Sequence, residues 1–169
     1  MIRREGNPEM GIPYGALELE NWHVEPGCQS TLCAAYEIVR DEWRRGDRDR
    51  EHALHLLFLS WYLLIEPPHL TGLEQRRVSS GELAAVFNEV HDYMAPAMKD
   101  DAEFLYVVGL MARLAPWLLG DSDVWETRSR EYQSQYRQLE PNGIDSKKFE
   151  GRGAYGEYFA DQARVMDGY

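Results

Sequence analysis

Cysteine is scarce in this chain: two residues among 169, too few for a disulfide scaffold. Cys28 and Cys33 lie five apart, and two cysteines at one helix start make an awkward bridge. Positive charge is scarce as well, with 18 Lys and Arg against 29 Asp and Glu and a net charge of −11. A field of that sign repels phosphate backbones and anionic lipid, which disfavours nucleic-acid and membrane-surface binding and leaves a basic protein partner compatible. No apolar run reaches the roughly 20 residues a bilayer-crossing helix needs, and no apolar segment follows Arg3-Arg4. The sequence therefore predicts neither a membrane span nor a secretory leader, and a reducing cytoplasm is the expected location. A Gly-Lys-Ser phosphate loop and a Ser/His/Asp motif are both missing. No cofactor is expected.

What is present centres on residues 50–66, apolar on nearly every side from Ala53 to Ile65 except at His55 and Ser60. A surface helix shows one apolar stripe, whereas a helix apolar all round needs neighbours on several faces. Pro67-Pro68 stops the run. The stretch reads as a buried central helix.

The rest of the chain supplies its neighbours. In residues 1–27, three prolines and four glycines argue against a long helix, and Ala16 to Val24 is expected to lie extended as an arm. A helix begins near Ser30, buries Leu32, Ala35, Tyr36, Val39 and Trp43, and ends at Gly46. Asp47 or Asp49 caps the central helix after a short link, so residues 28–66 predict an antiparallel hairpin. A polar loop follows over 67–78. Ser79-Ser-Gly-Glu82 is a capping box that opens a second hairpin over 79–120, and residues 121–169 hold further helices. The expectation is one all-α domain over 1–169, antiparallel hairpins around the central helix.

The two hairpins echo each other. Leu32–Asp41 aligns with Leu83–Asp92, and Ala53–Pro67 with Ala102–Pro116, Ser60 meeting Gly109. Repeated helical hairpins build tandem stacks of the tetratricopeptide or HEAT style, although the tetratricopeptide signature residues are missing and the period is too long for one.

Several patterns bear on chemistry. Gly151-Arg-Gly-Ala-Tyr-Gly156 matches G-x-G-x-x-G but lacks the preceding strand and downstream acid of a dinucleotide site, so its glycines are expected to let the last helix dock closely. Glu20-Asn-Trp-His23 and Glu66-Pro-Pro-His69 share the Glu-x-x-His spacing of di-iron bundles. The first lies in the arm and the second contains two prolines, so neither places both ligands on one helical face. His52 and His55, one turn apart, are the candidate metal pair; the structural alternative leaves His52 exposed and His55 as a hydrogen-bonded core residue. Cys28 and Cys33 flank a helix start, where a thiol can be activated, with no local base.

These readings converge on a cytoplasmic, protein-binding helical domain, an adaptor or an inhibitor of the immunity type in a bacterium. One alternative is a small helical-bundle enzyme, metal-dependent or not, built on a Glu/His site; another is a small-ligand-binding protein. The expected contact residues are Glu66, His69 and Trp117, at the proline-stiffened ends of the second and fourth helices. Oligomeric state is open.

Overall fold

The computed structural model of the chain describes residues 14–21 and 30–165, and every regular element among them is helical. After Val90 the chain divides into two compact units, 1–90 and 91–169.

The first unit contains α1 (Tyr14–Leu19), α2 (Leu32–Arg45), α3 (Arg50–Ile65) and α4 (Pro68–Thr71). It also holds the start of α5 (Ser80–Met94), inside which the division falls. The expected face of α2 is buried at Leu32, Ala35, Tyr36, Val39 and Trp43. Gly46, with φ 110°, closes that helix in the left-handed region that glycine enters without a steric cost. Asp49 then caps α3 by accepting the His52 backbone N–H at 3.0 Å. Every residue of α3 from His52 to Trp61 is buried, as an all-round apolar helix requires. Each buried leucine or phenylalanine there contributes about 1.5–3 kcal/mol, far above helix propensity. Packing, not propensity, stabilises α3.

Polar side chains tie α2 to the start of α5. The Tyr36 hydroxyl donates to Glu82 at 2.8 Å, Arg40 donates to the same carboxylate at 3.0 Å, and the Trp43 indole donates to Glu89 at 3.2 Å. Within the capping box, the Glu82 N–H reaches the Ser79 hydroxyl at 3.0 Å.

Three expectations need correction in this unit. Residues 14–19 form the helix α1 instead of an extended arm, because Ala16 packs inward and α1 lies on α2. The Thr31 hydroxyl closes its end by donating to the Leu19 carbonyl at 2.6 Å; residues 22–24 lie outside the described residues. The loop at 67–78 holds α4 and a 3-10 turn at Leu73–Gln75, since Pro68 at the first helical position has the φ a helix needs. Thr31, not Ser30, occupies the α2 N-cap, where its side chain bonds α1 instead.

The second unit contains α6 (Ala102–Leu114), α7 (Pro116–Leu119), α8 (Ser122–Leu139), a 3-10 turn at Ser146–Phe149 and α9 (Gly153–Val165). Asp101 and Asp121 cap α6 and α8 through backbone N–H groups. Helix α6 packs along α8, and Gly109 lets them approach: a Cβ there would lie 3.4 Å from the Tyr132 Cβ. The Ser129 hydroxyl donates to the Gly109 carbonyl at 2.8 Å across that contact. Helix α9 is anchored by buried charge, with Glu103 accepting from Tyr155 at 2.6 Å and from Arg152 at 2.7 Å.

The G-x-G-x-x-G match is explained by docking. Gly151 and Gly153 take φ of 71° and 65°, and a Cβ on Gly156 would fall onto the Phe149 carbonyl oxygen and within 2.9 Å of the Arg152 Cβ. Among the described residues, no helix is long and apolar enough to cross a membrane.

Candidate functional site

Helix α7 is the feature from which the site is built. Pro116 occupies its first position, so φ is already set and the missing N–H leaves no gap. At its other end the Leu119 carbonyl accepts the buried Trp125 indole N–H at 3.1 Å, while Gly120, with φ 146°, turns the chain into α8. Pro116 and Leu119 face inward. Trp117 between them is 64% exposed, the most open aromatic side chain among those described. Tryptophan is enriched among the residues that dominate interface energies, which makes this exposed indole on a short ordered helix a candidate contact residue.

Beside Trp117 lies a cleft of about 330 Å³, lined by Arg113 and Pro116 on one wall and by Glu126, Ser129, Arg130 and Gln133 of α8 on the other. Ser129, one of these lining residues, is held by its hydrogen bond to the Gly109 carbonyl. Among the described residues that line the cleft, two carry guanidiniums and one a carboxylate. Arg130 rests on the Thr127 hydroxyl at 3.4 Å instead of on an acid. The cleft offers an aromatic plane, charge-assisted donors and amide groups; its described lining includes no nucleophile–base pair.

The expected contact residues fall in both units. Glu66 is the half-buried C-cap of α3 and His69 is exposed on α4, both in the first unit. Trp117 belongs to the second. Of the three, the cleft just described includes Trp117 alone. Sequence reasoning missed Arg113 and Arg130. The available signal was the polar stripe Glu126, Arg130, Gln133 and Arg137 along α8, but nothing local in sequence shows which polar stripe borders a hollow.

The candidate metal pair is differently engaged. His52 is buried, which corrects the expectation that it is exposed; Nδ1 lies 2.5 Å from Asp49 and Nε2 lies 2.9 Å from Glu42. His55 is fully buried, with Nδ1 2.5 Å from Glu20 and Nε2 3.3 Å from Glu51. Burial alone would lower the His55 pKa, but the two carboxylates overcome it and hold the imidazolium up at about 9. In both cases the carboxylates bracket the ring from opposite nitrogens and do not converge on a common point. Among the described residues no group of three or more His, Cys, Asp and Glu could hold a metal ion.

The remaining candidates are packed or lie beyond the described residues. His91 in the second unit stacks among Phe104, Trp125 and Tyr132. Burial lowers its pKa, which fits a neutral ring that accepts from the Tyr132 hydroxyl at 2.7 Å and donates to Asp92 at 2.9 Å. Cys33 is buried within α2; burial first, then Glu37, pushes its thiol up to about 11 and makes it inert. His23 and Cys28 lie outside the described residues.

Comparison with family models, with curated proteins and with solved structures produced no match for this chain.

Proposed function

We propose that this chain is a protein-binding helical domain, an adaptor or an inhibitor acting in the bacterial cytoplasm, and that the Trp117 cleft is its contact surface. The observation that carries the reading is the 64% exposed indole of Trp117, held on a four-residue helix beside two arginines. Tryptophan and arginine are the residues most enriched among those that dominate interface energies. Proline at the start of α7 and the Leu119–Trp125 hydrogen bond order the helix before a partner arrives, so little further entropy is lost on binding.

Two further features support it. The histidines at 52, 55 and 91 are buried and bonded to neighbouring side chains, which gives the enzyme alternative little to build on. The order of elements also favours the tandem-repeat reading. A long buried helix followed by a four-residue helix that begins with proline occurs as α3–α4 and again as α6–α7, one position out of step with the sequence alignment of Pro67 with Pro116.

A photo-crosslinking amino acid at position 117, introduced in the native host, tests the proposal. The expected result is one covalent protein adduct near stoichiometry that the same group at Glu157 on α9 does not yield. Labelling at 117 no stronger than at 157, in folded protein, would defeat it.

A further inference from the structure

We infer that α1 is a strap latched by the ion pair between Glu20 and His55, and that it opens as a unit while α2 and α3 stay folded. Helix α1 is weak in its own right. Tyr14–Leu19 is six residues long, whereas an isolated helix shorter than about 12–15 residues is marginal in water. Gly15 lowers its propensity further, and a Cβ there would meet nothing within 4 Å. Its apolar packing is thin: Ala16 is buried, Leu17 and Leu19 are half-buried, and Gly15 and Glu18 are exposed. Helix α3, by contrast, is buried at every residue from His52 to Trp61. A segment with few buried apolar contacts opens at a lower free energy than the core on which it lies.

Polar ties gather at the C-terminal end of α1. The Leu19 carbonyl accepts the Thr31 hydroxyl at 2.6 Å. The next residue, Glu20, is 2% exposed, with a carboxylate oxygen 2.5 Å from His55 Nδ1. Its N–H bonds the Ala16 carbonyl at 3.1 Å, so the last turn of α1 carries the carboxylate. A buried carboxylate is stable only while a countercharge faces it. Once the ring is neutral, that carboxylate is better solvated in water, which it reaches by lifting the strap. The open form uncovers the His55 imidazole.

The latch therefore responds to protons. Among the described residues, the charged groups facing the His55 ring are Glu20 at the end of α1 and Glu51 on its own helix, 3.3 Å from Nε2. On α2, Glu42 bonds His52 instead. In the closed form the two carboxylates keep the ring protonated up to about pH 9. Opening removes Glu20 and lets the ring fall back toward its ordinary 6.5. It thus releases a proton and is favoured as pH rises.

Hydrogen exchange of the full chain, read by mass spectrometry of peptic fragments and corrected for intrinsic rates, tests the inference. At pH 6.5, residues 14–21 should be about tenfold or more less protected than residues 53–61. Their exchange should be unchanged by low urea, whereas that of 53–61 should rise with it, because local opening exposes little surface. From pH 6.5 to 8.5 the protection of 14–21 should fall about tenfold or more. Glu20→Gln should remove most of that protection and of its pH dependence while 53–61 stay protected. Glu18→Gln, at an exposed position of the same helix, should change neither. Gly15→Ala should raise the protection of 14–21 roughly two- to fivefold.

Common exchange of 14–21 and 53–61 with one urea dependence would overturn the inference, since α1 would then open only with the whole unit. Protection of 14–21 that is constant with pH, or that survives Glu20→Gln, would refute the latch. A Glu20→Gln chain that fails to fold would show α1 to be integral to the core and would overturn the strap as well.

Discussion

The buried His55 ion pairs make stability depend on pH in a direction that can be worked out beforehand. The carboxylates facing the ring are Glu20, which follows α1, and Glu51, one turn earlier on α3. The folded-state pKa of about 9 lies above the ordinary 6.5. At about 1.36 kcal/mol per pH unit, that difference corresponds to about 3 kcal/mol, an order-of-magnitude figure. Because the pKa is raised on folding, the stabilisation is fully present below pH 6.5 and is lost as pH rises through 9. Urea denaturation followed by far-ultraviolet circular dichroism from pH 6.5 to 9 should therefore show stability falling by about 3 kcal/mol.

His55→Gln should abolish most of that slope. It should also destabilise the protein at pH 6.5 by about 3–5 kcal/mol, because it removes the imidazolium that faces the buried Glu20 carboxylate. Replacing Glu20 by Gln in the same chain removes the buried charge that faced the ring, so the double variant should be more stable than the single one. A wild-type slope absent between pH 6.5 and 9, or equally steep in His55→Gln, would refute the reasoning.

Other outcomes follow from the same structure. His91, its pKa lowered by burial, is protonated first in the unfolded chain, so its contribution to stability should be lost as pH falls below 6.5; removing the ring with His91→Phe should flatten that limb. Gly156→Ala sets a helix-propensity gain of about 1 kcal/mol against a clash with the Phe149 carbonyl; the clash should win, and thermal melts should show a loss of about 1–3 kcal/mol or more. Leu57→Ala, at a fully buried position on α3, should cost about 2–5 kcal/mol, whereas Trp117→Ala should change stability by about 0.5 kcal/mol or less while abolishing partner capture. In a Cys28→Ser chain, Cys33 should resist iodoacetamide at pH 8 until urea unfolds the protein, as mass spectrometry would show.

The elements legible in the sequence were those whose signals are local. Apolar spacing located α2, the all-round apolar run located α3, and Gly46, Asp49 and Ser79 marked ends through capping chemistry that acts within a turn. The glycines before α9 could be read as docking residues because the missing strand excluded the alternative. Shorter pieces escaped. Helices α1 and α4 and the turn at Ser146–Phe149 span four to six residues, too few for a period to declare itself.

The side-chain pairings belonged to tertiary structure. Glu20 meets His55 across 35 positions and Glu42 meets His52 across 10, distances over which spacing carries no information about contact. His52 was read as exposed because it stands near a helix start, yet Asp49 and Glu42 enclose it once α2 folds back. At the candidate site the sequence identified Trp117 as an aromatic at a proline-stiffened helix end, a local fact. That Arg113 and Arg130 would share its cleft was decided by the packing of α6 against α8, because a hollow exists only between elements that have already packed.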